Sequence, residues 1–137
     1  MADIYTKKKR SSIMSLIKAK DTGIERLIFK YLKSQDINFR KHYKLLIGKP
    51  DIVIPSKKIV IFIDGDFWHG WHYNKWSYKL PNEFWRTKIE ENMRRDKRIF
   101  RNLRKDGWKI LRVWEHQMST KAKKEYMFNK IIEFINI

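Results

Sequence analysis

Cysteine is absent from the 137 residues, which excludes disulfides and any thiolate-held metal. Glycine (5) and proline (3) are scarce, and no low-complexity linker divides the chain. Carboxylates are few: 15 Asp+Glu stand against 32 Lys+Arg, a formal net charge of +17. No apolar run reaches the roughly 20 residues of a membrane-spanning helix. Neither a lipidation motif nor a charged-then-apolar signal segment is present, so a cytoplasmic protein is expected. What the chain does have is aromatic mass, with 6 Trp, 6 Tyr and 8 Phe, and its length suits one domain with a real core. The positive excess points to a polyanionic partner, of which nucleic acid is the commonest.

Residues 1–10 are polar and end in Lys7, Lys8, Lys9 and Arg10, a flexible basic arm suited to phosphates; residues 11–137 form the domain proper. Ser11 or Ser12 caps a short helix bearing Ile13, Met14, Leu16 and Ile17, which breaks at Asp21-Thr22-Gly23. Thr22 with Glu25 three residues on fits a capping box. Behind it Ile24, Leu27, Ile28, Tyr31 and Leu32 recur at helical spacing, so 23–34 reads as an amphipathic helix. Residues 39–46 read as a first strand and Gly48-Lys49-Pro50 as a turn. The β-branched runs 52–54 and 59–63 flank Pro55-Ser56-Lys57-Lys58, a turn that makes the pair antiparallel. Their nearly unbroken apolar character suits strands buried on both faces.

Residues 65–80 form an irregular loop that holds Phe67, Trp68, His69, Trp71, His72, Tyr73, Trp76 and Tyr78. Asn82 caps a long helix from 83 to about 106, ended by Gly107. Its apolar side is Trp85, Ile89, Met93, Phe100 and Leu103, and the rest is dense in Lys and Arg. Residues 108–114 read as a further strand in which Lys109 and Arg112 interrupt the apolar positions. Ser119 or Thr120 opens a last helix that buries Met127, Phe128, Ile131, Phe134 and Ile135. The order α-α-β-β-β-α-β-α, without repeat or linker, gives one α/β domain: a central mixed β-sheet flanked by helices.

The few carboxylates are not scattered. Asp51 stands just before the first β-branched run, and Asp64 and Asp66 follow the second. Hydrolysis of a phosphodiester needs an activated water and positive charge at the departing oxygen, and a hard cation on oxygen ligands supplies both. Asp51 and the main-chain carbonyl of Ile63 can share such an ion, Asp64 and Asp66 can help, and Glu25 can reach in from its helix. His69 is placed to orient or deprotonate the water. Each residue also has a plain structural reading: turn residue for Asp51 and Asp64, capping box for Glu25, aromatic packing for His69. Their convergence on one strand-turn-strand unit in so basic a chain favours the chemistry.

At Pro50-Asp51-Ile52-Val53-Ile54 and the following strand the sequence resembles the PD-(D/E)XK nuclease superfamily, and within it the very-short-patch-repair (Vsr) mismatch endonucleases. The pieces that carry the resemblance are Arg10 to Met14, Asp21 to Glu25, Gly48 to Asp51, Gly65-Asp66-Phe67-Trp68-His69, Phe84-Trp85, Asn92 to Asp96, Leu103, Gly107-Trp108 and Val113-Trp114-Glu115. It implies a restriction-endonuclease-like fold and a Mg²⁺-dependent endonuclease, Mn²⁺ being a possible substitute, that nicks one strand of duplex DNA at a T·G-type mismatch. It further implies that Asp51 and the Ile63 carbonyl ligate the metal, and that Glu25 and His69 hold or activate water. Phe67, Trp68 and Met14 are implied to wedge into the DNA stack, where unstacking costs least at a weakened pair. Lys7 to Arg10, with Arg94, Arg95 and Arg98 on the long helix, would meet phosphates. Asp96 is implied to lie near the site. The expected setting is prokaryotic or phage DNA at the nucleoid, with a monomeric enzyme and a mismatch-repair or methyltransferase partner.

Two departures stand out. The superfamily's Glu and Lys are missing at Phe62-Ile63-Asp64, and Asp64 occupies a position where Vsr enzymes commonly carry His, so it is expected as an added metal ligand. The structural zinc of that family loses its cysteines here. Asp66, His72 and His116 remain as a possible three-ligand remnant, but the expectation is no structural zinc, with aromatics of 67–78 packed in its place. Two rival functions follow: a restriction-type or structure-specific nuclease of the same fold without mismatch preference, and a non-catalytic binder of distorted DNA.

Overall fold

A computed structural model describes residues 23–136. The basic arm with Lys7, Lys8, Lys9 and Arg10, the helix expected at 11–20 with Met14, and the Thr22 cap lie outside the described residues.

Four helices and four strands make up the described chain: α1 (Gly23–Ser34), β1 (Arg40–Lys41), β2 (Ile52–Ile54), β3 (Ile59–Asp64), α2 (Tyr73–Trp76), α3 (Glu83–Lys105), β4 (Lys109–Trp114) and α4 (Lys121–Ile135). The strands lie side by side in chain order. β1–β2 and β2–β3 are antiparallel and β3–β4 parallel, so the sheet is mixed, as expected. The turn between β2 and β3 is one 3₁₀ turn, Pro55–Lys57, closed by Lys58 in the left-handed conformation.

Strand alternation sends two sets of side chains to opposite faces. Ile52, Ile54, Ile59, Ile61 and Val113 pack with Ile28, Phe29 and Leu32 of α1 and Met127, Ile131 and Ile135 of α4. Val53, Val60 and Phe62 pack with Ile99, Phe100 and Leu103 of α3. A third cluster, Trp68, Tyr73, Trp85 and Ile89, joins the 65–80 segment to the first half of α3. The helix ends follow the sequence. Asn82 caps α3 by accepting from the Phe84 N–H at 3.0 Å, Gly107 (φ 89°) lies just beyond its end, and the Thr120 hydroxyl caps α4.

Three expectations are corrected. The strand expected over 39–46 is only Arg40–Lys41, because His42 turns left-handed (φ 50°) and the chain leaves the sheet as a loop. In α1, Leu27 faces out and Phe29 takes its place in the core. The 65–80 segment is not wholly irregular: it holds α2 and a 3₁₀ turn at Ser77–Lys79.

The loop from His42 to Lys49 returns to β2 through Gly48 (φ 81°), and a Cβ there would come within 2.5 Å of Ile99 Cγ2. Ile99 is buried and stiff at χ1, so it cannot swing aside. Gly48→Ala is therefore expected to cost roughly 1–3 kcal/mol in urea unfolding, from strain and overpacking together. Unchanged stability would mean that the loop does not rest on α3.

Candidate active site

β2 and β3 end side by side, and beyond the last paired residues, Ile52 and Ile61, the Asp51 side chain takes over the pairing. Its Oδ2 accepts the Ile63 N–H at 2.7 Å. His42 comes from the β1 side, where its own N–H donates to the Asp51 carbonyl at 2.9 Å. The His42 ring bridges two carboxylates, with Nδ1 3.8 Å from Asp51 Oδ1 and Nε2 3.6 Å from Glu25 Oε2. Glu25, buried in the first turn of α1, completes a group whose ligand atoms lie within 4.8 Å of one another. Burial pushes the Asp51 carboxyl up to about 7, and the nearby Glu25 and Asp64 carboxylates push the same way against the Ile63 N–H and His42.

A second group stands next to it. His69 Nδ1 is 2.6 Å from Asp96 Oδ2, and His69 Nε2 is 3.4 Å from Asp64 Oδ1. Arg112 donates through Nε to Asp64 Oδ2 at 2.6 Å and through Nη2 to Asp96 Oδ2 at 2.7 Å. Burial raises the Asp64 pKa, opposed by His69 and Arg112 and helped by Asp96. Both groups open into one cavity of about 570 Å³. Ile63 lines it too, and Lys44, Lys49, Arg95 and Arg98 bring positive charge to its wall.

The structure thus brings Asp51, Glu25, Ile63, Asp64 and His69 to one place. Of the DNA-facing residues expected on α3, Arg95 and Arg98 reach the cavity and Arg94 is exposed outside its lining. Asp66 and His116 meet each other instead of forming a trio: His116 Nδ1 is 2.8 Å from Asp66 Oδ1, and His72 offers no atom within 4.8 Å of both. Trp71 packs against His116 and His72, with ring centroids 4.4 and 4.3 Å apart. Trp68 is only 4% exposed, packed beside Trp85 and Phe67, and its carbonyl accepts from Asn92. In this conformation it presents no face on which a base could stack, whereas Phe67 is half-buried.

His42, Arg112, Lys44 and Lys49 were missed in the sequence. His42 had no signal in the sequence; the β1–β2 register, Arg40 opposite Val53 and Lys41 opposite Ile52, is what places it opposite Asp51. Arg112 had none, since a basic residue in an alternating strand reads as solvent-facing.

The residues present fit a divalent cation. Carboxylate oxygens and an imidazole converge on a cavity, and Asp51 is held there at a cost in protonation that a cation would remove.

The DNA mismatch endonuclease Vsr family model matches residues 2–75. The type II nicking enzyme V.NmeAIP of Neisseria meningitidis serogroup A / serotype 4A (strain DSM 15465 / Z2491) is 40% identical over 136 residues, 98% of this chain and 97% of its own. The DNA mismatch endonuclease Vsr of Escherichia coli (strain K12) is 40% identical over 118 residues, 84% of this chain and 74% of its own. The type II nicking enzyme V.HpaIIP of Haemophilus parainfluenzae is 38% identical over 116 residues, covering 83% and 82% of the two chains.

The raised Asp51 pKa has a measurable sign. The folded state holds this proton more tightly than the unfolded chain, so its stabilising contribution is complete below about pH 4 and is lost as pH rises through about 7. Without divalent ions, Asp51→Asn is expected to melt several degrees above the wild type at pH 8 and to converge with it toward pH 4. A wild type that melts higher at pH 8 under those conditions would show that the carboxylate is not held against its charge.

Proposed function

Because the chain belongs to the DNA mismatch endonuclease Vsr family, it is a DNA endonuclease, and we propose that it acts as a monomer, nicking one strand of duplex DNA at a T·G-type mismatch with Mg²⁺ as its cation. The observation that carries this reading is the cavity itself. The Glu25–His42–Asp51 group and the His69–Asp96 pair face the same space, between walls that bear Lys44, Lys49, Arg95 and Arg98.

Asp51 would hold the cation, with the Ile63 carbonyl beside it and with Glu25 and His42 directly or through water. When bound, a divalent ion supplies positive charge against the phosphate and polarises water for attack. The chain does the rest. Asp96 receives Nδ1–H of His69 and fixes the ring. Nε2 would take a proton from the attacking water, with Asp64 Oδ1 3.4 Å away to steady the imidazolium that results. The wall cations take up phosphate oxygens and set the duplex backbone over the carboxylates, a charge-driven grip that weakens steeply with salt. Phe67, at the edge of the aromatic cluster, is the side chain of the 65–80 segment best placed to test a weakened base pair.

The burial of Trp68 favours one second reading, nicking without mismatch preference. A nicking assay on labelled duplexes separates them. Mg²⁺-dependent nicking is expected on a T·G duplex and much less on its matched counterpart. Asp51→Asn should abolish it with DNA binding retained, and His69→Ala should lower kcat by roughly 10²–10⁴-fold. Equal cutting of both duplexes supports the second reading, and binding without cutting in Mg²⁺ or Mn²⁺ would leave a non-catalytic binder of distorted DNA.

A further inference from the structure

We infer that Arg112 is a positioning residue that divides the cavity's carboxylates between two tasks: it commits Asp64 and Asp96 to His69 and leaves Asp51 with Glu25 for the cation. This rests on the reading of the cavity as a metal-dependent nuclease site.

Arg112 comes from β4, opposite Phe62 in the parallel register, so it rises on the α3 face of the sheet. Its guanidinium carbon sits 4.1 Å from the Trp114 ring centroid and 5.0 Å from that of Phe100, and these two rings fix the plane of the fork. From there two donors point to two different carboxylates, Nε to Asp64 on β3 and Nη2 to Asp96 on α3. A lysine ammonium has neither the planar fork nor the stacking face to span both. The Asp96 oxygen that receives Nη2 also receives His69 Nδ1, so one guanidinium holds the partner that orients the histidine.

The consequence concerns Asp64. With Oδ2 taken by Arg112 and Oδ1 facing His69 Nε2, both of its oxygens belong to the second group. Asp64, His69 and Asp96 nevertheless have ligand atoms within 4.8 Å of one another, a donor set able to hold a divalent ion of its own. The permanent positive charge of Arg112 already pairs the two carboxylates that such an ion would need, which keeps His69 available as a base and confines the metal to the Asp51 side.

Mn²⁺ titration of the protein without DNA, followed by the electron paramagnetic resonance of free Mn²⁺, tests the division. The wild type should bind one Mn²⁺ per chain. Asp51→Asn should weaken that binding by about tenfold or more, whereas Asp64→Asn should shift it by no more than about threefold. Arg112→Gln should admit a second Mn²⁺, and Arg112→Gln combined with Asp64→Asn should return to one. In nicking assays Arg112→Gln should lower kcat with KM little changed, because the histidine rather than DNA binding is disturbed. If Arg112→Gln does not fold, Asp64→Asn against Asp51→Asn decides the matter alone. A loss on Asp64→Asn as large as on Asp51→Asn overturns the division, as does a stoichiometry of one in folded Arg112→Gln. A wild type that binds no Mn²⁺ and never nicks overturns both the division and the metal-site reading beneath it.

Discussion

The hydrogen bond from the Ile63 N–H to Asp51 Oδ2 stands where the apolar sheet gives way to the cavity. β2 is buried along its whole length and β3 nearly so. A one-residue slip would exchange a strand's side chains between the α1/α4 face and the α3 face, each shaped for the other set, so their register is strongly determined. Asp51 inherits that precision because it is the first residue beyond the ladder and its side chain finishes the pairing. Glu25 inherits it too, since it shares α1 with Ile28, Phe29 and Leu32, which are packed on the same sheet. The metal-competent carboxylates are therefore held from opposite sides by one core. That core keeps them close although their mutual repulsion and burial drive Asp51 toward protonation.

Much of this was legible from residue patterns. The two β-branched runs, the turn between them, the capped long helix and the last helix depend on local chemistry, and each appeared where its pattern placed it. The first strand did not, because Lys41 and His42 belong to the same polar stretch and nothing local marks the left-handed turn at His42. Asp51, Glu25 and His69 could be gathered from residue type and resemblance. The split of the carboxylates into two groups could not, because it depends on Arg112, 48 residues beyond Asp64 in the chain, and on Asp96 turning inward from a helix face otherwise rich in cations. Such a split is set by the β3–β4 register and the docking of α3, which are tertiary facts.

In the aromatic segment the role implied by resemblance and the packing of this conformation stand furthest apart. Exposing a large aromatic ring returns on the order of 150–250 Å² to water, or roughly 4–6 kcal/mol at 25 cal/mol per Å². Trp68 would bear that cost on leaving its cluster, recovered in part as bases cover the ring, and would also disturb its carbonyl's bond to Asn92. Phe67, already partly exposed, would bear less. The neighbouring Asp66–His116 contact and the rings around Trp71 tie the start of the same segment to the end of β4. Movement that frees Phe67 is thus easier to reconcile with the packing than movement that frees Trp68.

Charge poses a last constraint, because a nucleic acid must approach a cavity lined by four carboxylates, Glu25, Asp51, Asp64 and Asp96. The formal +17 does not answer it directly, since at physiological salt fields decay over about 8 Å and distant lysines chiefly raise the rate of encounter. What a phosphate feels at the mouth is the local balance. Arg112 cancels one charge inside, and Lys44, Lys49, Arg95 and Arg98 offset others at the wall. A divalent ion held at Asp51 would remove the remaining excess there. Cation and DNA would then be coupled in affinity, each lowering the electrostatic cost of the other. On the proposed reading, the carboxylates that would repel the substrate alone would become, once an ion is held, the reason it binds over Asp51 rather than elsewhere on a basic surface.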